Sequence, residues 1–409
     1  MPGRVIVATE RHGTGGEEDV ARFITGDSPG TGTGEGRKTS RVAPATAGSS
    51  RALRAGASYT SSMSSSLNVA LVGFGYVGRS FHAPLIGAVD GLTLHTIVSS
   101  RPDDVRAEWP AVHVVANLSD ALADPEVDLV VLATPNDLHA PQAHAALEAG
   151  QHVVIDKPFT VTVDEAEQVA EHAVRAGRLL SVFHNRRWDS DFLTLRSLIA
   201  ADALGDIVSF ESHFDRFRPT IRNRWRERAG PGSGLWIDLG PHLIDQVLQL
   251  FGPPIGIRLD LAIQREGAET DDYFHAVLRY DNWRAILHAS TLAPAHDLRY
   301  AVHGRRGSFI KNGLDAQELA LKAGRTPGDA GWGVDPRPGT LTFVDGEAVG
   351  TRVVEGIPGD YRQYYAAVRD AILGTGSNPV TPEDGLAVMR LIEKGVESDR
   401  ARREVLVAA

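Results

Sequence analysis

The sequence contains no cysteine, which excludes disulfide bonds, thiolate metal sites and cysteine nucleophiles. It also has no apolar run long enough to cross a bilayer, and its first residues do not form a charged segment followed by an apolar core. Basic residues are in the minority, with 42 Lys and Arg against 52 Asp and Glu and a formal net charge of −10. Because that balance gives no general attraction to polyanions, we expect no nucleic-acid or membrane partner and predict a cytoplasmic protein.

Residues 1–66 differ in composition from the rest of the chain. Gly, Ser, Thr, Ala and Arg dominate this segment, and no apolar period of 2 or 3.6 is sustained in it. Such a segment cannot bury enough apolar surface to offset its ordering entropy, so we predict a disordered extension. Met63 directly precedes a polar stretch that leads into the first strand, and we expect translation to begin at Met63.

A chain of 409 residues exceeds what one hydrophobic core usually serves, so two domains are expected. From Leu67, near-continuous apolar strands alternate with helical patterns, which is typical of a parallel sheet covered on both faces. We therefore predict an α/β fold whose first domain, residues 67–187, is a doubly wound, dinucleotide-binding Rossmann domain. After the first strand, the predicted strands are 92–98, 112–115, 127–133, 151–155 and 179–183, and the predicted helices are 141–149 and 163–176.

The pattern changes after Arg187, where longer strand-like runs begin. These runs are residues 207–217, 255–265, 273–280, 283–292 and 299–310, and Asp281-Asn282 is a candidate two-residue hairpin turn. Residues 361–373 and 382–402 have helical spacing. We predict that residues 188–409 form an α+β domain for substrate binding and oligomerisation, with a large, mostly antiparallel open sheet and C-terminal helices that pack back on the body.

The run from Val69 to Val72 ends in three glycines at G-x-G-x-x-G spacing, and a helix-compatible segment follows from Arg79. In a dinucleotide site the first glycine permits the tight turn, the second lets the backbone approach the pyrophosphate, and the third lets helix pack on strand. Glycine triplets also occur in ordinary loops, so the strand before and the helix after give the motif its weight. The predicted cofactor-binding residues of this turn are Gly73, Phe74, Gly75, Tyr76, Val77 and Gly78.

The end of the second strand indicates which dinucleotide fits. NAD sites usually place an acid there to bind the ribose 2′-OH, but this strand runs into Ser99, Ser100 and Arg101, with no acid before Asp103. A hydroxyl and a guanidinium suit a 2′-phosphate, so Ser100 and Arg101 predict NADP in preference to NAD. The alternative is that Arg101 is an ordinary solvated loop arginine.

Lys157 follows the predicted strand at residues 151–155. Ligands of parallel sheets bind at the carboxyl ends of the strands, so this lysine is placed where a nicotinamide and a substrate meet. Its ammonium group can donate to a substrate hydroxyl or carbonyl and stabilise a developing alkoxide. Without that context, a lysine at a strand end is more often a surface charge.

Asp238 and His242 belong to a glycine-rich stretch that leads into a helix. Pro241 is a favourable first helical residue, and apolar residues then recur at helical spacing until Gly252. We expect His242 in the first turn, where the helix dipole keeps the imidazole neutral, and Asp238 in the preceding loop, orienting the ring. The alternative is a helix-capping Asp beside a structural His. Nothing in this pattern requires a metal.

Together these residues resemble the glucose–fructose oxidoreductase, inositol dehydrogenase and rhizopine-catabolism (Gfo/Idh/MocA) family, from Leu67 nearly to the C-terminus. The motifs that carry the resemblance are Gly73 to Gly78, Thr134-Pro135-Asn136 with His139, Asp156-Lys157-Pro158, and Asp238-Leu239-Gly240-Pro241-His242. The resemblance implies catalysis by Lys157, Asp238 and His242, and cofactor contacts from Thr134, Pro135, Asn136, His139 and Lys157. One departure is that the family usually has Glu where this chain has Asp156, which leaves the role of Asp156 open.

Residues 184–194 look most like the NADP-dependent scyllo-inositol dehydrogenases of that family, as do the segments around Arg218 and Trp225. Asn and Arg side chains can donate to hydroxyl oxygens, and a Trp face suits ring C–H groups. An arginine network that braces the two domains is an equally good reading of any single residue. The predicted substrate residues are Asn185, Arg186, Trp188, Arg218, Trp225 and His242.

The sequence thus predicts reversible hydride transfer between NADP and a secondary alcohol of a cyclic polyol or sugar of the inositol type. Two other functions stay open: a non-catalytic NADP-sensing regulator on the same scaffold, and a reductase of a non-sugar substrate. An open sheet in the second domain further predicts a homodimer or homotetramer.

Overall fold

The computed structural model describes residues 66–295 and 297–407. The predicted disordered extension, apart from Ser66, and the expected start at Met63 therefore lie outside the described residues.

The first sheet has six parallel strands in the order β3-β2-β1-β4-β5-β6. This is the order of a dinucleotide-binding Rossmann sheet, in which the strand order reverses between β1 and β4. The strands are β1 Leu67–Val72, β2 Leu92–Val98, β3 His113–Val115, β4 Leu129–Leu132, β5 His152–Asp156 and β6 Leu180–Phe183. Every residue of β4 and β6 is buried, as expected for strands with helices on both faces. The predicted Rossmann fold is confirmed.

Helices flank this sheet on the connections between its strands. A π-helical turn at Gly78–His82 leads into α1 Ala83–Gly87, followed by α2 Pro102–Glu108, α3 Leu118–Leu122, α4 His139–Glu148 and α5 Val163–Ala176. The predicted bounds of α5 are those observed, because both of its ends are encoded locally. Thr162 and Glu165 form a capping box at the start, and Gly177 adopts the left-handed conformation after the end.

After β6, a short helix at Asn185–Trp188 and α6 Ser190–Ala200 lead into a second sheet of nine strands. Its order is β14-β13-β12-β11-β7-β10-β9-β8-β15, and all neighbours are antiparallel except β7 and β10. The strands are β7 Ile207–His213, β8 Gly256–Ala262, β9 Tyr273–Arg279, β10 Arg284–Ser290, β11 Leu298–Gly304, β12 Gly307–Asn312, β13 Gly339–Asp345, β14 Ala348–Val354 and β15 Val405–Leu406. The mostly antiparallel second sheet is confirmed, and Asp281-Asn282 lies in the predicted hairpin turn between β9 and β10.

Two parts of the second sheet differ from the sequence prediction. Residues 299–310, predicted as one strand, form the β11–β12 hairpin with Arg305-Arg306 at its tip. The glycines at 304 and 307 flank this turn, and long apolar runs on both sides hid it. The β13–β14 hairpin was not predicted, because much of β14 is exposed and its apolar alternation is weak.

The helix that carries His242 begins earlier than predicted. It is α7 Leu235–Phe251, which places Pro241 inside the helix and Asp238 in its first turn. The Leu235 and Trp236 amides donate to the main-chain and side-chain oxygens of Asp271, a residue far along the chain. This acceptor supplies the N-terminal cap that the local sequence lacks, and Gly252 ends the helix as expected.

The remaining helices are α8 Gln317–Lys322, α9 Arg362–Ile372 and α10 Pro382–Ala401. Buried side chains of α9, among them Tyr364, Tyr365 and Val368, join the core of the first sheet, whereas Leu391 and Ile392 of α10 join the core of the second. The C-terminal helices thus bind both sheets into one body. Within the described ranges, no helix combines the length and apolarity needed to cross a membrane.

Candidate active site

Each glycine of the turn after β1 is needed for a different physical reason. Gly73 has a φ of +99°, and a Cβ there would lie 2.7 Å from the Ala133 carbonyl oxygen. A Cβ on Gly78 would overlap the Gly73 carbonyl oxygen, whereas a Cβ on Gly75 would meet nothing within 4 Å. The first and third glycines are therefore required by the fold itself, and the second faces open space, where a ligand would approach the backbone.

We expect Gly75→Ala and Gly78→Ala to fail in different ways. Gly78→Ala forces the turn against β1 to open, so the free energy of unfolding should fall by about 1–3 kcal/mol. Gly75→Ala should leave the stability within about 0.5 kcal/mol of the parent protein and weaken NADPH binding. Urea unfolding and a fluorescence titration of NADPH measure the two effects. Equal destabilisation by both variants would contradict the assignment of Gly75 to the ligand side.

Arg101 lies beside the glycine turn, but Ser100 does not reach it. The Arg101 guanidinium donates to the Phe74 carbonyl oxygen at 2.8 Å and pairs with Asp104 at 3.2 Å. Ser100 is exposed and is not among the described residues that line the adjoining cavity. The structure therefore keeps Arg101 as a candidate for a 2′-phosphate and does not support the prediction for Ser100.

Removal of the Arg101 guanidinium tests the predicted NADP preference. We expect Arg101→Ala to raise the KM for NADPH about tenfold or more, since a charge-assisted hydrogen bond is worth about 1.5–3 kcal/mol, and to change the KM for NADH little. Ser100→Ala is the matched control and should change neither value. The prediction is wrong if Arg101→Ala affects both cofactors equally.

A cavity of about 750 Å³ opens beside the glycine turn. Phe74, Gly75 and Tyr76 form part of its wall, and most of its charged side chains are cations. These cations are Arg79, Arg101, Lys322 and Arg325. A cavity of this size that combines a bare glycine backbone with four cations fits a dinucleotide and its phosphates.

The turn after β4 is held by the protein's own groups. Thr134 Oγ1 donates to Gln142 at 2.7 Å, and Asn136 Nδ2 donates to the Gly232 carbonyl oxygen at 2.8 Å. The His139 ring is fully buried, with its nitrogens 2.9 Å from the Pro158 oxygen and 3.2 Å from the Thr134 oxygen. Burial lowers the pKa of His139. His139 therefore links the residues that follow β4 and β5. Both of its ring nitrogens are occupied, so it is not free to bind a cofactor, contrary to prediction. Pro135 belongs to the same turn.

Lys157 and Asp238 form a charged pair between the two sheets. Lys157 Nζ donates to Asp238 Oδ1 at 3.0 Å and to the Asp238 carbonyl oxygen at 2.7 Å. Burial alone would raise the pKa of Asp238, but Lys157 and Arg226 outweigh it and hold that pKa well below its usual range. Asp238 is thus a fixed anion, and Lys157, which has three N–H donors, keeps one for a ligand.

His242 is neutral for a reason other than the one predicted. It lies in the second turn of α7, past the strongest effect of the helix dipole. Burial lowers its pKa well below the ordinary value, and the cations Lys157 and Arg186 lower it further. His242 Nδ1 has no hydrogen-bond partner among the described residues, so Asp238 does not orient the ring as predicted. Asp238 serves Lys157 instead.

Lys157, Asp238 and His242 line one cavity of about 200 Å³, which shares Tyr76 and Lys322 with the cavity beside the glycine turn. Of the predicted substrate residues, Asn185, Arg186, Arg218 and His242 line it. Trp188 instead packs edge-on against Tyr364, with ring centroids 5.7 Å apart, and Trp225 lies under the Arg226 guanidinium. Neither tryptophan lines either cavity, so the structure does not support the prediction that they contact substrate.

Several residues of this cavity are not among the site residues predicted from the sequence. Arg216, Arg222, Arg224 and Arg226 come from the segment after β7, where their density was the available signal. Glu318 comes from α8, and it binds Arg186 at 2.8 Å and Lys322 at 2.5 Å. No local pattern could place α8 here, because it is brought to the cavity by tertiary packing alone.

Comparison with known families decides the classification. Residues 67–184 match the model of the Gfo/Idh/MocA oxidoreductase family's NAD-binding Rossmann fold, and residues 196–407 match that of its C-terminal alpha/beta domain. The chain belongs to the Gfo/Idh/MocA oxidoreductase family. Both matched regions contribute side chains to the cavity that holds Lys157 and His242.

The chain is similar to several Gfo/Idh/MocA proteins over nearly all of their lengths. It is 52% identical to the "Uncharacterized oxidoreductase YdgJ" of Escherichia coli, over 85% of this chain and 100% of that protein. It is 41% identical to the "scyllo-inositol 2-dehydrogenase (NADP(+)) IolW" of Bacillus subtilis, over 83% of this chain and 96% of that protein. A solved structure of a putative oxidoreductase from Yersinia pestis superposes with a TM-score of 0.82 at 50% identity, over 85% and 99%.

Asp156 occupies the position where the Gfo/Idh/MocA resemblance leads one to expect Glu. It is buried beside Lys157, with Oδ1 3.8 Å from His82 Nε2. Burial alone would raise the pKa of Asp156, but His82 and Lys157 together lower it. The shorter carboxylate therefore stays ionised in the cavity wall and adds a second negative charge beside Lys157.

A group of side chains arranged like metal ligands lies outside the cavity that holds Lys157 and His242. Within the described ranges, the group of side chains arranged like metal ligands is His213, Asp215 and His288, on and next to β7 and β10. None of the three lines the cavity that holds Lys157 and His242. Asp245, a further carboxylate of α7, is bound by Arg187 instead.

Proposed function

We propose that this protein is an NADP-dependent oxidoreductase that acts on a secondary alcohol of a cyclic polyol or sugar of the inositol type. The observation that carries the proposal is the convergence of Lys157, Asp238 and His242 on one cavity that adjoins the glycine turn. The name of the IolW relative, a scyllo-inositol 2-dehydrogenase (NADP(+)), supports the same substrate class and cofactor.

Each of the three side chains has a role in alcohol oxidation that follows from its surroundings. The nicotinamide ring supplies hydride acceptance when the cofactor is bound. Neutral His242 accepts the hydroxyl proton, and the free N–H of Lys157 binds the substrate oxygen and stabilises its developing negative charge. Asp238 fixes the Lys157 ammonium through two hydrogen bonds from Lys157 to its carboxylate and main-chain oxygens. In reduction, His242 returns the proton.

The lowered pKa of His242 sets an expected pH dependence. A charged imidazole cannot accept the substrate proton, so oxidation should fall as the pH falls through the pKa of His242. Because that pKa lies well below the ordinary value of 6.5, we expect kcat for oxidation to stay level through pH 6.5 and to decline only at lower pH. A profile of kcat against pH measures this, and a half-maximal point at 6.5 would contradict the assignment.

The proposed activity is tested by a spectrophotometric screen for NADPH formation over inositol isomers and aldoses. We expect at least one cyclic substrate to reduce NADP⁺, with Lys157→Met as the inactive control. Tight NADPH binding without turnover of any substrate would favour the regulator, and turnover restricted to non-sugar carbonyl compounds or imines would favour the third function.

We also propose that the protein forms a homodimer or homotetramer through its second sheet. Several apolar side chains of this sheet are more than a third exposed, and they come from β7, β13, β14 and β15. They are Val208, Phe343, Val344, Val349, Val353 and Leu406. Light scattering of the purified protein measures the mass in solution, and a monomer at micromolar concentration would contradict the proposal.

A further inference from the structure

The cavity that holds Lys157 and His242 is strongly cationic in an otherwise acidic protein. Eight Lys and Arg side chains and three carboxylates line it, whereas the whole chain carries a formal charge of −10. The positive charge is therefore a local property of this cavity. Lys and Arg donors can bind the hydroxyl oxygens of a neutral polyol, but they bind an anion more strongly, through charge-assisted hydrogen bonds.

Most of these cations have a carboxylate partner within the protein, but two half-buried ones do not. Five of the eight pair with carboxylates within 4.0 Å: Lys157 and Arg226 with Asp238, Arg186 and Lys322 with Glu318, and Arg224 with Glu227. Arg222 is exposed and solvated. Among the described residues, Arg216 and Arg218 have no carboxylate partner.

Arg216 and Arg218 lie in the cavity without an ion-pair partner among the described residues, and the Glu318 carboxylate acts on both of them only from a greater distance. The Arg216 guanidinium lies 4.7 Å from the centroid of the Phe214 ring, an apolar neighbour on one side. Burial lowers the pKa of Arg216, and burial together with Arg216 and Arg222 lowers the pKa of Arg218 to about 10. Partly desolvated, unpaired charges destabilise a protein, and a ligand of opposite charge removes that cost.

The phosphates of the cofactor do not account for these two arginines. The glycine turn and the cations Arg79, Arg101 and Arg325 surround the other cavity, to which neither Arg216 nor Arg218 contributes. Both arginines instead share a wall with Lys157 and His242, at the substrate end. The two arginines lie on either side of Phe217. The main chain of Phe217 forms an isolated antiparallel bridge with Leu292, just after β10, which fixes the segment.

We propose that the substrate carries an anionic group, a carboxylate or a phosphate, and that Arg216 and Arg218 bind it. The inference rests on the proposed function, and it narrows the substrate from a neutral polyol or sugar to an acidic or phosphorylated one. Guanidinium groups bind both anions through paired N–H donors, so the two sources share one chemistry. The bound anion places the alcohol carbon of the same molecule toward Lys157 and His242.

The anion site is tested by calorimetric titration of NADPH-saturated enzyme with inorganic phosphate and, separately, with acetate. We expect saturable binding of at least one of them, weakened about tenfold or more by Arg216→Gln and by Arg218→Gln, since each removes charge-assisted hydrogen bonds. Arg218→Lys keeps the charge but loses the paired N–H donors of the guanidinium, so its anion affinity should lie between those of the parent protein and Arg218→Gln. Arg305→Gln, at the exposed β11–β12 turn, is the matched control and should bind like the parent protein.

The two titrations distinguish the sources of the anion. Tighter binding of phosphate indicates a phosphorylated substrate, and equal or tighter binding of acetate indicates a carboxylate. Absence of saturable binding of either anion, or binding unchanged in both glutamine variants, overturns the inference.

Turnover separates this inference from the proposed function. Paired substrates, D-glucuronate against D-glucose and myo-inositol 1-phosphate against myo-inositol, are compared by NADP-linked kcat/KM. We expect the anionic member of at least one pair to be preferred about tenfold or more and Arg218→Gln to abolish the preference. Equal turnover of both members overturns the anionic substrate and leaves the oxidoreductase in place. Anion binding without turnover of any polyol or sugar overturns the proposed function and leaves the anion site in place.

Discussion

We expect His242→Asn to lower kcat for alcohol oxidation by about 100-fold to 10,000-fold, the usual contribution of a positioned general base. Asn keeps a polar group of similar reach in the cavity but cannot accept the proton at neutral pH. NADPH affinity should change little, because His242 does not line the cavity beside the glycine turn. Steady-state kinetics give kcat, and fluorescence titration gives the Kd for NADPH.

The matched control for His242→Asn is His303→Asn in the second sheet. The His303 ring is bonded to Ser308 at 2.8 Å and does not line either cavity, so kcat should stay within about twofold of the parent value. If His242→Asn keeps kcat within the same range, His242 is not the base and the mechanism is wrong.

Lys157→Met should cause a loss of similar size by another route. The variant removes the donor that stabilises the substrate oxygen, and it leaves Asp238 without its nearest cation. The pKa of Asp238 should then move back toward its usual range, since Lys157 is the main group that holds it down. Carbon-13 NMR of labelled aspartate can follow that titration, and an unchanged pKa would contradict the pairing.

Arg187→Met should destabilise the protein by about 3–5 kcal/mol, because it leaves the buried Asp245 carboxylate without its partner. Arg187 Nε lies 3.0 Å from Asp245 Oδ2, and Nη2 lies 2.6 Å from Oδ1. Arg187 lies in the short helix after β6, and Asp245 lies in α7, three residues after His242. Because the loss of this pair disturbs the part of α7 that carries His242, kcat should fall as well. Urea unfolding measures the loss.

The double variant Arg187→Met/Asp245→Leu supplies the control for that prediction. Replacement of both charges leaves no unpaired carboxylate in the interior, so the double variant should be more stable than Arg187→Met alone. A loss below about 1 kcal/mol for the single variant, or a double variant that is less stable still, would contradict this account.

Local signals in the sequence predicted the first sheet better than the second. The bounds of β2 and α5 agree with prediction because their signals lie in neighbouring residues of the sequence. These signals are an apolar run for β2, and a capping box and a C-terminal glycine for α5. The start of α7 was missed because its cap is Asp271, which reaches the helix only in the folded protein. The β11–β12 hairpin was missed because the apolar pattern continues across its turn.

The site residues divide in the same way. Lys157 was predicted from a strand end and His242 from the segment Asp238 to His242, although α7 begins before that segment, and the fold brings both side chains to one cavity. Asp238 and Lys157 are 81 positions apart, so no local sequence pattern predicts their ion pair. The sequence suggested His242 as the partner of Asp238 instead. Trp188 was predicted to contact substrate, whereas the structure packs it against Tyr364, because an aromatic residue in a polar segment can contact either a ligand or the core.

The proposed reaction is hydride transfer to a nicotinamide from the alcohol carbon of a substrate in the cavity that holds Lys157 and His242. It is tested most directly with the best substrate from the screen, deuterated at its secondary alcohol carbon, in a single turnover with NADP⁺. Mass spectrometry of the recovered cofactor should show NADPH with one deuterium, in step with formation of the ketone. Ketone formation without deuterium in the cofactor, or no cofactor reduction by any polyol, sugar or sugar acid, would contradict the account.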